Sequence, residues 1–582
     1  MKTLLMTISL AFGAVSSAFA QTPVITDVLD AGGYTETIAQ GTLFVVKGTN
    51  LCTTTAQAAA PYKTTALGGV TIQLTPVSGG AAVSAYMEST YCQGGVTQLA
   101  AVLPSDTAVG DYNVTVTVTP PGTTSAPFKT TVVLHKVGIM TQNGSGSGRA
   151  LAQDVVSATQ YDLNGFTTGP VPGAGFQRSP AYPGEVMIAW GMGLGSALGF
   201  DDHAPPGGFD FIAQHLDVKA IVGGQPIVPI YAGRSNLFAA LDNITFRLPD
   251  NVQTGCLVSF QVSVAGQLSN LTTLAIAPNA QAGACQDPLY TIDVLKRFDA
   301  GGGFTVGDFN LISALSTITI AGQSITSRSE SASGAFTTYN ADQLVRVPEI
   351  SAAPSGVCQV YTFTSGQSAG GAAIDVTNLD AGAITLNGPN VANKALTETN
   401  KAYYLSLTTP GSNTPVISAG TYTLTGAGGT DIGPFTASIL VSPPLTVTGG
   451  LPATVNRSQN LPIAWTGGGT ALVEIIGSSA LLISGSSSSN NAVYTTGTFI
   501  CTTTADKGSF SVPSSILQQL PPTPANAFTA GTGFGSLAVY SSSLPNAASK
   551  NGYFTAPVKA GGNIDYGIFL AGVGTSALTT YQ

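Results

Sequence analysis

A hydrophobic period of two recurs along this chain and restricts its fold more than any other feature of the sequence. Residues 114–118, Val-Thr-Val-Thr-Val, alternate apolar and polar side chains, as a strand with one buried face does. Similar short runs are separated by Gly, Pro, Asn and Ser, and no long segment has a helical period. The hydrophobic fraction of 43% is too high for a disordered chain. We therefore predict an all-β protein of tandem immunoglobulin-like β-sandwich domains.

Charged residues are scarce, which limits the partners that the chain can bind. Lys and Arg together number 20 among 582 residues, and the net charge is −9. A nucleic-acid-binding protein needs a basic face to neutralise phosphates, and no basic cluster occurs in the sequence. The composition therefore argues against a nucleic-acid partner and suits the neutral, polar surface of an exported protein.

The first twenty residues have the organisation of a secretory signal peptide. Lys2 supplies a positive charge, residues 4–15 are mostly apolar, and Ala18-Phe19-Ala20 is a small-residue cleavage site. The apolar run is shorter than the ~20 residues that span a bilayer, so we predict no transmembrane segment. Cleavage before Gln21 predicts a secreted protein, located outside the cell or on its outer surface, with the periplasm as the alternative.

An internal repeat indicates two related domains. Residues 41–51 are similar to residues 184–194, and each reads as an early strand that ends in a Gly turn. Further on, a Leu-Pro pair precedes a Gly and a long strand in both copies, at Leu103 and at Leu248. The matching order of these segments predicts two sandwiches of the same type.

The repeat and the composition of the intervening segments predict the domain boundaries. In chain order they are a signal peptide at 1–20, an Ig-like sandwich at 21–137, a Gly/Ser/Pro-rich connector at 138–176, an Ig-like sandwich at 177–285, a β-sandwich at 286–443 and an Ig-like β-sandwich at 444–582.

Several motifs in the first half resemble a known family. Residues 183–194 begin Pro-Gly-Glu-Val, residues 222–233 read Val-Gly-Gly-Gln-Pro-Ile-Val-Pro-Ile-Tyr-Ala-Gly, and residues 137–154 contain Gly-Ser-Gly-Ser-Gly before Gln-Asp. Together they resemble the Ig-like repeats of IPT/TIG type found in large secreted proteins of acidobacteria. The resemblance covers roughly residues 22–280, and the first copy departs from it around residues 85–96. It implies sandwich folds and an extracellular location, and no defined activity.

The second half resembles another set of modules from similar proteins. Its motifs include Cys358–Phe363, Leu379–Gly382 and Ile463–Gly468. Trp465 lies on an early strand and Cys501 on a later one, an arrangement similar to the core pair of immunoglobulin domains. An exposed position of Trp465, as a platform for a ligand, is the alternative.

The cysteines predict disulfide bonds, because an exported protein reaches an oxidising compartment. The six cysteines are Cys52, Cys92, Cys256, Cys285, Cys358 and Cys501. The first two share one predicted sandwich and the next two share another, so each pair is a candidate disulfide. The last two belong to different predicted domains, and they either clamp these domains together or remain buried thiols.

Two short motifs resemble catalytic or phosphate-binding loops. Residues 366–370 match G-x-S-x-G, but a hydrolase needs a His after this Ser, and His135, His203 and His215 all precede it. Residues 144–148 are Gly-rich but lack the Lys-Ser/Thr of a phosphate loop. We predict that both are turns. Neither His135 nor His215 has a partner at metal-ligand spacing, and no catalytic residue is predicted. The stretch 209–218, which contains His215, is expected to form a short helix or a strand.

Two acidic loops are candidates for calcium. Asp201, Asp202 and His203 lie near Asp210, and a second loop runs from 299 to 308 with an Asp at each end. Clustered oxygen ligands suit Ca²⁺, but neither spacing is that of an EF-hand. We predict no cofactor and no metal site, with calcium at these loops as the alternative.

These observations predict a non-catalytic, secreted or cell-surface protein with a structural or adhesive role. Its expected partner is an extracellular protein or a polysaccharide. One alternative is a carbohydrate-binding protein, which would carry aromatic residues along one exposed sheet face. A second alternative is a secreted glycoside hydrolase, which would carry clustered acids with raised pKa values in a concave cleft.

Overall fold

The computed structural model describes residues 22–62, 64–93, 96–287, 290–320, 323–340, 355–364, 377–484, 492–543 and 551–582. The predicted signal peptide and the G-x-S-x-G segment at 366–370 lie outside the described residues. The regular structure is dominated by strands, which confirms the all-β prediction. The described helices are all too short or too polar to cross a membrane.

The first sandwich packs two sheets face to face. Its strands are β1 (Val24–Asp30), β2 (Ile38–Ala39), β3 (Leu43–Thr49), β4 (Ala56–Gln57), β5 (Ala66–Leu67), β6 (Val70–Pro76), β7 (Val83–Ser84), β8 (Tyr86–Gln93), β9 (Val96–Val102), β10 (Gly110–Val118), β11 (Thr123–Thr124) and β12 (Phe128–Val133). One sheet has the order β1-β3-β9-β8-β4 and the other β2-β12-β10-β6-β5. On β10, Val114, Val116 and Val118 are buried and the intervening threonines are half-buried, as the period of two predicts.

The second sandwich begins earlier in the chain than the sequence predicts. Its strands are β13 (Gly138–Ile139), β14 (Gly148–Arg149), β15 (Ala152–Val155), β16 (Tyr161–Asn164), β17 (Gly169–Pro170), β18 (Gln177–Ser179), β19 (Val186–Met192), β20 (Phe209–Asp210), β21 (Val218–Val222), β22 (Gln225–Ile227), β23 (Tyr231–Arg234), β24 (Asp242–Arg247), β25 (Gly255–Val264), β26 (Gln267–Leu268) and β27 (Thr272–Ile276). The segment at 138–176 is therefore part of this sandwich rather than a connector. Its strands are too short and too rich in Gly and Ser to be recognised from local sequence.

The two sheets of the second sandwich enclose a common core. One has the order β17-β18-β16-β15-β19-β24-β23-β20, with β13 beside β19, and the other the order β14-β27-β25-β21-β22. Phe246 of the first sheet stacks on Phe260 of the second, with 5.4 Å between ring centroids. Both rings are fully buried, so they contribute strongly to holding the sheets together.

The remaining residues form a region built on one long sheet. Its elements are α1 (Ile292–Asp299), β28 (Gly303–Ile320), β29 (Gln323–Asn340), β30 (Cys358–Thr364), β31 (Thr377–Leu379), β32 (Ile384–Gly388), β33 (Val391–Ala395), β34 (Thr397–Thr399), β35 (Ala402–Ser406), β36 (Gly420–Gly426), β37 (Phe435–Val441), β38 (Leu445–Val447), β39 (Thr454–Val455), β40 (Leu461–Gly467), β41 (Leu472–Ser484), β42 (Val493–Thr504), a 3-10 helix (Ala505–Lys507), β43 (Ser509–Val512), α2 (Ser514–Leu517), α3 (Ala527–Ala530), β44 (Gly533–Ser543), β45 (Tyr553–Phe554), β46 (Tyr566–Leu578) and β47 (Thr580–Tyr581).

This long sheet crosses the boundary predicted between residues 443 and 444. It has eleven strands, and the order of its main path is β30-β42-β41-β44-β46-β28-β29-β35-β34. β28 pairs in parallel with β46, with Val306 opposite Tyr566. The four-stranded sheet of β32, β33, β36 and β37 contributes to one core and the strands β38, β40 and β43 to another. Each core also contains residues of the other predicted domain, Phe569 in the first and Val360 in the second. The two predicted C-terminal domains therefore share a sheet and both cores, through a long-range pairing that no local pattern indicates.

Three disulfides are present, and they leave no free cysteine among the described residues. They join Cys52 to Cys92, Cys256 to Cys285, and Cys358 to Cys501. The third connects β30 to β42 across the predicted domain boundary, as the clamp alternative required. The predicted core position of Trp465 beside Cys501 is confirmed, and the exposed alternative is wrong. The side chain is buried in the same core as Cys501 and donates from Nε1 to the Ala505 carbonyl.

The first two sandwiches meet at a joint where backbone packs on backbone. The Asp30 carboxylate, fully buried, accepts hydrogen bonds from the amides of Gly32, Gly33 and Thr35 at 3.0, 2.5 and 2.7 Å. A Cβ at Gly138 of the second sandwich would lie 1.9 Å from Asp30 Oδ1. We call these residues the first joint. Only glycine fits at 138, so the loop and the strand are in direct contact.

Asn270 reinforces the first joint from within the second sandwich. Its Oδ1 accepts from the Ile139 amide at 2.7 Å, and its Nδ2 donates to the carbonyls of Ile139 and Gly146. A Cβ on Gly146 would lie 2.3 Å from the Gly33 carbonyl oxygen. The turn at 144–148 is therefore fixed by one half-buried side-chain amide while it packs against the first sandwich.

Replacing Gly138 by Ala tests the first joint. The added methyl has no space beside Asp30, so we expect the free energy of unfolding of the two N-terminal sandwiches to fall by about 1–3 kcal/mol. Faster proteolysis between the sandwiches should accompany the loss. Gly169→Ala is the matched control, because its Cβ meets no atom within 4 Å and its φ is not positive. Equal stability of the two variants would contradict the prediction.

Removing the third disulfide tests the clamp in the C-terminal region. The bond closes a loop with a sequence separation of 143 residues. We expect Cys358→Ala with Cys501→Ala to lower the free energy of unfolding by about 3–5 kcal/mol, measured by urea unfolding in a Trp190→Phe background so that the fluorescence comes from Trp465 alone. The same double substitution at Cys52 and Cys92 should leave this transition unchanged. An unchanged transition in the first variant would contradict the prediction.

Candidate functional site

The second sandwich presents aromatic side chains on the outward face of its larger sheet. On β19, Met187 and Ala189 point into the core, so Trp190 points outward. Trp190 lies opposite Asn243 of β24, and Tyr231 of β23 lies opposite Thr245 of the same strand. The two aromatic residues are therefore on either side of β24, on one face of one sheet.

Trp190 is held in place by contacts with its neighbours on both sides. Its indole Nε1 donates to Gln153 Oε1 at 3.0 Å, on the adjacent strand β15. The ring of Phe238 meets the indole edge-on, with centroids 6.1 Å apart. These contacts fix the orientation of the indole, which is only partly buried.

Tyr231 is held against the sheet by its hydroxyl. The hydroxyl donates to the Arg234 carbonyl at 2.6 Å and accepts from the Phe209 amide at 3.1 Å. A Cβ on Gly233 would lie 2.8 Å from Tyr231 Cζ, so the ring extends over this glycine. Burial raises the pKa of the Tyr231 phenol, which therefore stays neutral at physiological pH.

Polar and apolar groups alternate between and around these rings. Asn243 and Thr245 are the half-buried outward residues of β24, and Asn243 Oδ1 accepts no hydrogen bond in the described structure. The side chains of Leu237, Phe238 and Ile230 are 67%, 56% and 63% exposed. Exposed apolar groups grouped near oriented rings are typical of a binding surface. We call Gln153, Trp190, Tyr231, Phe238, Asn243 and Thr245 the ring face.

The acidic loop predicted as one calcium candidate contacts the first sandwich instead. Asp201 accepts from the Ser105 hydroxyl at 2.5 Å and from the Ser105 amide at 2.9 Å. The Asp202 carbonyl accepts from the Tyr62 amide, and its carboxylate is 2.6 Å from His203 Nδ1. The cluster therefore forms an interdomain contact.

Asp210, the fourth member of that prediction, lies apart from this contact. Its carboxylate caps the Ile212 amide at 2.9 Å. In the described ranges, no group of three or more His, Cys, Asp or Glu side chains is arranged to hold a metal.

A buried ion pair supports the same loop. Arg234 Nη1 lies 3.0 Å from Asp242 Oδ1, and both side chains are almost fully buried. Arg234 Nη2 also donates to the Gly195 carbonyl, and Asp242 accepts from the Leu194 amide. The pair therefore fixes the start of the segment that reaches Ser105.

The two aspartates of the second calcium candidate, Asp299 and Asp308, have different structural roles. Asp299, at the end of α1, accepts from Arg149 at 2.8 Å and from the amides of Phe166 and Thr167. Asp308 lies on β28, where it accepts from Asn310. Asp299 therefore connects α1 to the second sandwich, and we call this contact the second joint.

The histidines are separate from one another. His135 Nδ1 is 2.6 Å from the Leu194 carbonyl oxygen, while His203 contacts Asp202. His215 is not in a helix or strand but in a turn, with a φ of 65°. The structure brings none of the three histidines together.

Three acids are buried together inside the second sandwich. Asp154, Asp162 and Glu185 are at most 5% exposed. Ser179 Oγ lies 3.2 Å from one oxygen each of Asp154 and Asp162, and its single proton can serve only one of them. Burial raises the pKa of Asp154 well above its usual range and that of Glu185 to about 7. These acids are closed to solvent and do not form an open cleft.

The sequence did not identify Trp190 or Tyr231 as surface residues. The β19 segment, Val-Met-Ile-Ala-Trp-Gly-Met, is apolar at inward and outward positions alike. The period of two therefore carries no information about which face is exposed. The sequence signal that could have indicated the exposed face is the alternation of two small residues, Ala189 and Gly191, with large ones.

No protein-family model and no curated protein matches this chain. Solved structures that the comparison matches to this chain include plexin A4 (extracellular region), at 11% identity and a TM-score of 0.12, covering 83% of this chain and 34% of that one. Another is Bacteroides ovatus SGBP-B of a mixed-linkage glucan utilization locus, in complex with a heptasaccharide. It has 10% identity and a TM-score of 0.13, and the match covers 88% of this chain and 94% of that one. Surface layer protein SbsC, domains 4–9, has 10% identity and a TM-score of 0.15, and the match covers 94% of this chain and 82% of that one.

These structures are similar to this chain only as assemblies of several β domains. The chain spans about a third of the plexin chain that it matches. The identities and TM-scores are too low for any argument about what this protein binds.

The buried acids predict a pH-dependent stability. Because the pKa of Glu185 rises from 4.5 to about 7 on folding, the folded state binds more protons than the unfolded state in this window. We therefore expect the unfolding temperature of the second sandwich to fall as the pH rises from about 4.5 to 7. Glu185→Gln should flatten this dependence in calorimetric scans. An equally steep dependence in the variant would rule out Glu185 as its source.

Proposed function

We propose that this chain is a non-catalytic, structural or adhesive protein that is exported by a signal peptide and acts outside the cell or at its surface. We also propose that its first two sandwiches are IPT/TIG-type repeats of the acidobacterial kind. The expected partner is an extracellular protein or a polysaccharide. The observation that carries the proposal is the closed contact between successive domains.

Both joints support a rigid array of domains. At the first joint, Gly138 brings β13 into direct contact with the Asp30 loop. At the second joint, Asp299 is bound by Arg149, and Phe298 packs edge-on against Phe166, with centroids 6.1 Å apart. Buried contacts of this kind hold the orientation of the domains, whereas Gly/Ser linkers would leave it free. A rigid array suits a protein that presents its loops and sheet faces at fixed spacing.

The disulfides and the buried acids agree with this proposal. Three disulfides in one chain are typical of an oxidising compartment outside the cytoplasm. A glycosidase needs two carboxyl groups that flank an accessible glycosidic bond. Asp154, Asp162 and Glu185 instead lie inside the core of a sandwich, and this supports a role without catalysis.

A binding and turnover experiment tests the proposal. Purified residues 21–582 are incubated with immobilised polysaccharides, matrix proteins and whole bacterial cells, with and without Ca²⁺. We expect retention on at least one surface, without release of soluble products. A disulfide-bonded β protein of similar net charge serves as the control for non-specific retention. Release of products would overturn the proposal in favour of a hydrolase, and no retention on any surface would overturn the adhesive role.

A further inference from the structure

We propose that the ring face of the second sandwich binds a chain of an uncharged polysaccharide. The proposal rests on the adhesive function above and assigns its partner and its site. Trp190, Tyr231 and Phe238 would stack on sugar rings, while Gln153, Asn243 and Thr245 provide polar groups between them.

The spacing of the rings suits an extended sugar chain. Trp190 and Tyr231 lie on strands separated by β24, and their partners on that strand, Asn243 and Thr245, are two residues apart. With strands ~4.8 Å apart and ~3.4 Å per residue, the two backbone positions are about 12 Å apart. An extended polysaccharide repeats its sugar faces over a comparable length, so two rings can stack on one chain.

The orientation of both rings is set in the structure without any ligand. Trp190 is fixed by Gln153, and Tyr231 by the carbonyl of Arg234 and the amide of Phe209. Rings that are already immobilised lose little conformational freedom on binding, which favours affinity. These three hydrogen bonds also hold the polar ends of the rings at the sheet, and this leaves apolar ring surface for stacking.

Hydrogen-bonding groups between the rings match the hydroxyls of a sugar. Asn243 lies directly opposite Trp190, and its Oδ1 has no hydrogen-bond partner among the described residues. Thr245, opposite Tyr231, is half-buried on the same outward side. Asn243 Oδ1 is buried, so a sugar hydroxyl can donate to it only if the amide turns outward, and the cost of an unpaired buried acceptor favours that turn.

The charge of the face indicates that the polymer is neutral. Two charged side chains of opposite sign lie at the outward positions of β15, β19, β20, β23 and β24. Asp210 lies opposite Gly233, next to Tyr231, and Arg247 lies at the end of β24, beyond Thr245. The whole chain carries a net charge of −9, which disfavours acidic polysaccharides. An uncharged chain is the partner whose charge complements this surface.

Titration calorimetry with soluble neutral polysaccharides tests the proposal. Hydroxyethyl cellulose, glucomannan and dextran are the probes, and alginate is the acidic comparison. We expect at least one neutral probe to bind, and Trp190→Ala and Tyr231→Ala each to weaken it about tenfold, as the loss of one stacking contact predicts. Phe534→Ala is the matched control, because Phe534 is also exposed, at 48%, but lies on the long C-terminal sheet. Its affinity should equal that of the unmodified protein.

A third ring-face variant distinguishes loss of binding from loss of folding. Thr245→Lys keeps both rings but places a long charged side chain between them, and we expect it to reduce binding of the neutral probe about tenfold as well. Unchanged affinity in all three ring-face variants would overturn the site. Binding of alginate alone, or of matrix proteins alone, would overturn the assigned partner but leave the adhesive function standing. Absence of binding to any surface would overturn both.

Discussion

Direct packing of backbone on backbone at the first joint determines how the two N-terminal sandwiches are arranged. The contact requires glycine at 138, and it requires the Asp30 carboxylate to satisfy the amides of the loop that it meets. A buried donor without a partner costs about 1–3 kcal/mol, so the carboxylate and the glycine stabilise the joint together. Asp201 and Ser105 then add a second contact between the same sandwiches, and two separated contacts resist rotation better than one.

The ring face depends on this arrangement in an indirect way. β19, which carries Trp190, also pairs with β13 through Gly191 and Ile139. β13 is the strand that packs on the first sandwich at Gly138. The strand that positions the indole is therefore part of the same rigid unit as the first joint. A ligand on the ring face would consequently be held at a fixed position relative to the first sandwich.

Local sequence predicted the strands well and their long-range pairing poorly. The alternation in β10 is sufficient to place Val114 and Val116 in a core, because a period of two indicates a strand with one buried face. Pairing between β28 and β46 joins residues about 260 positions apart, and no local pattern encodes it. The acidic loop at Asp201 is visible in the sequence as a cluster and as a calcium candidate, but its partner, Ser105, lies on another domain and no local pattern indicates it. For the ring face, a strand that is apolar on both sides concealed which residues face solvent.

The position of β46 has a consequence for how the protein is made. This strand lies between β44 and β28 in the long sheet, so β28 has no neighbour on that side until residues 566–578 are available. During synthesis, the β28–β29 hairpin therefore exposes one unpaired edge for the time needed to add more than two hundred residues. Serine and threonine are frequent along this edge, and such polar side chains reduce its tendency to pair with other chains.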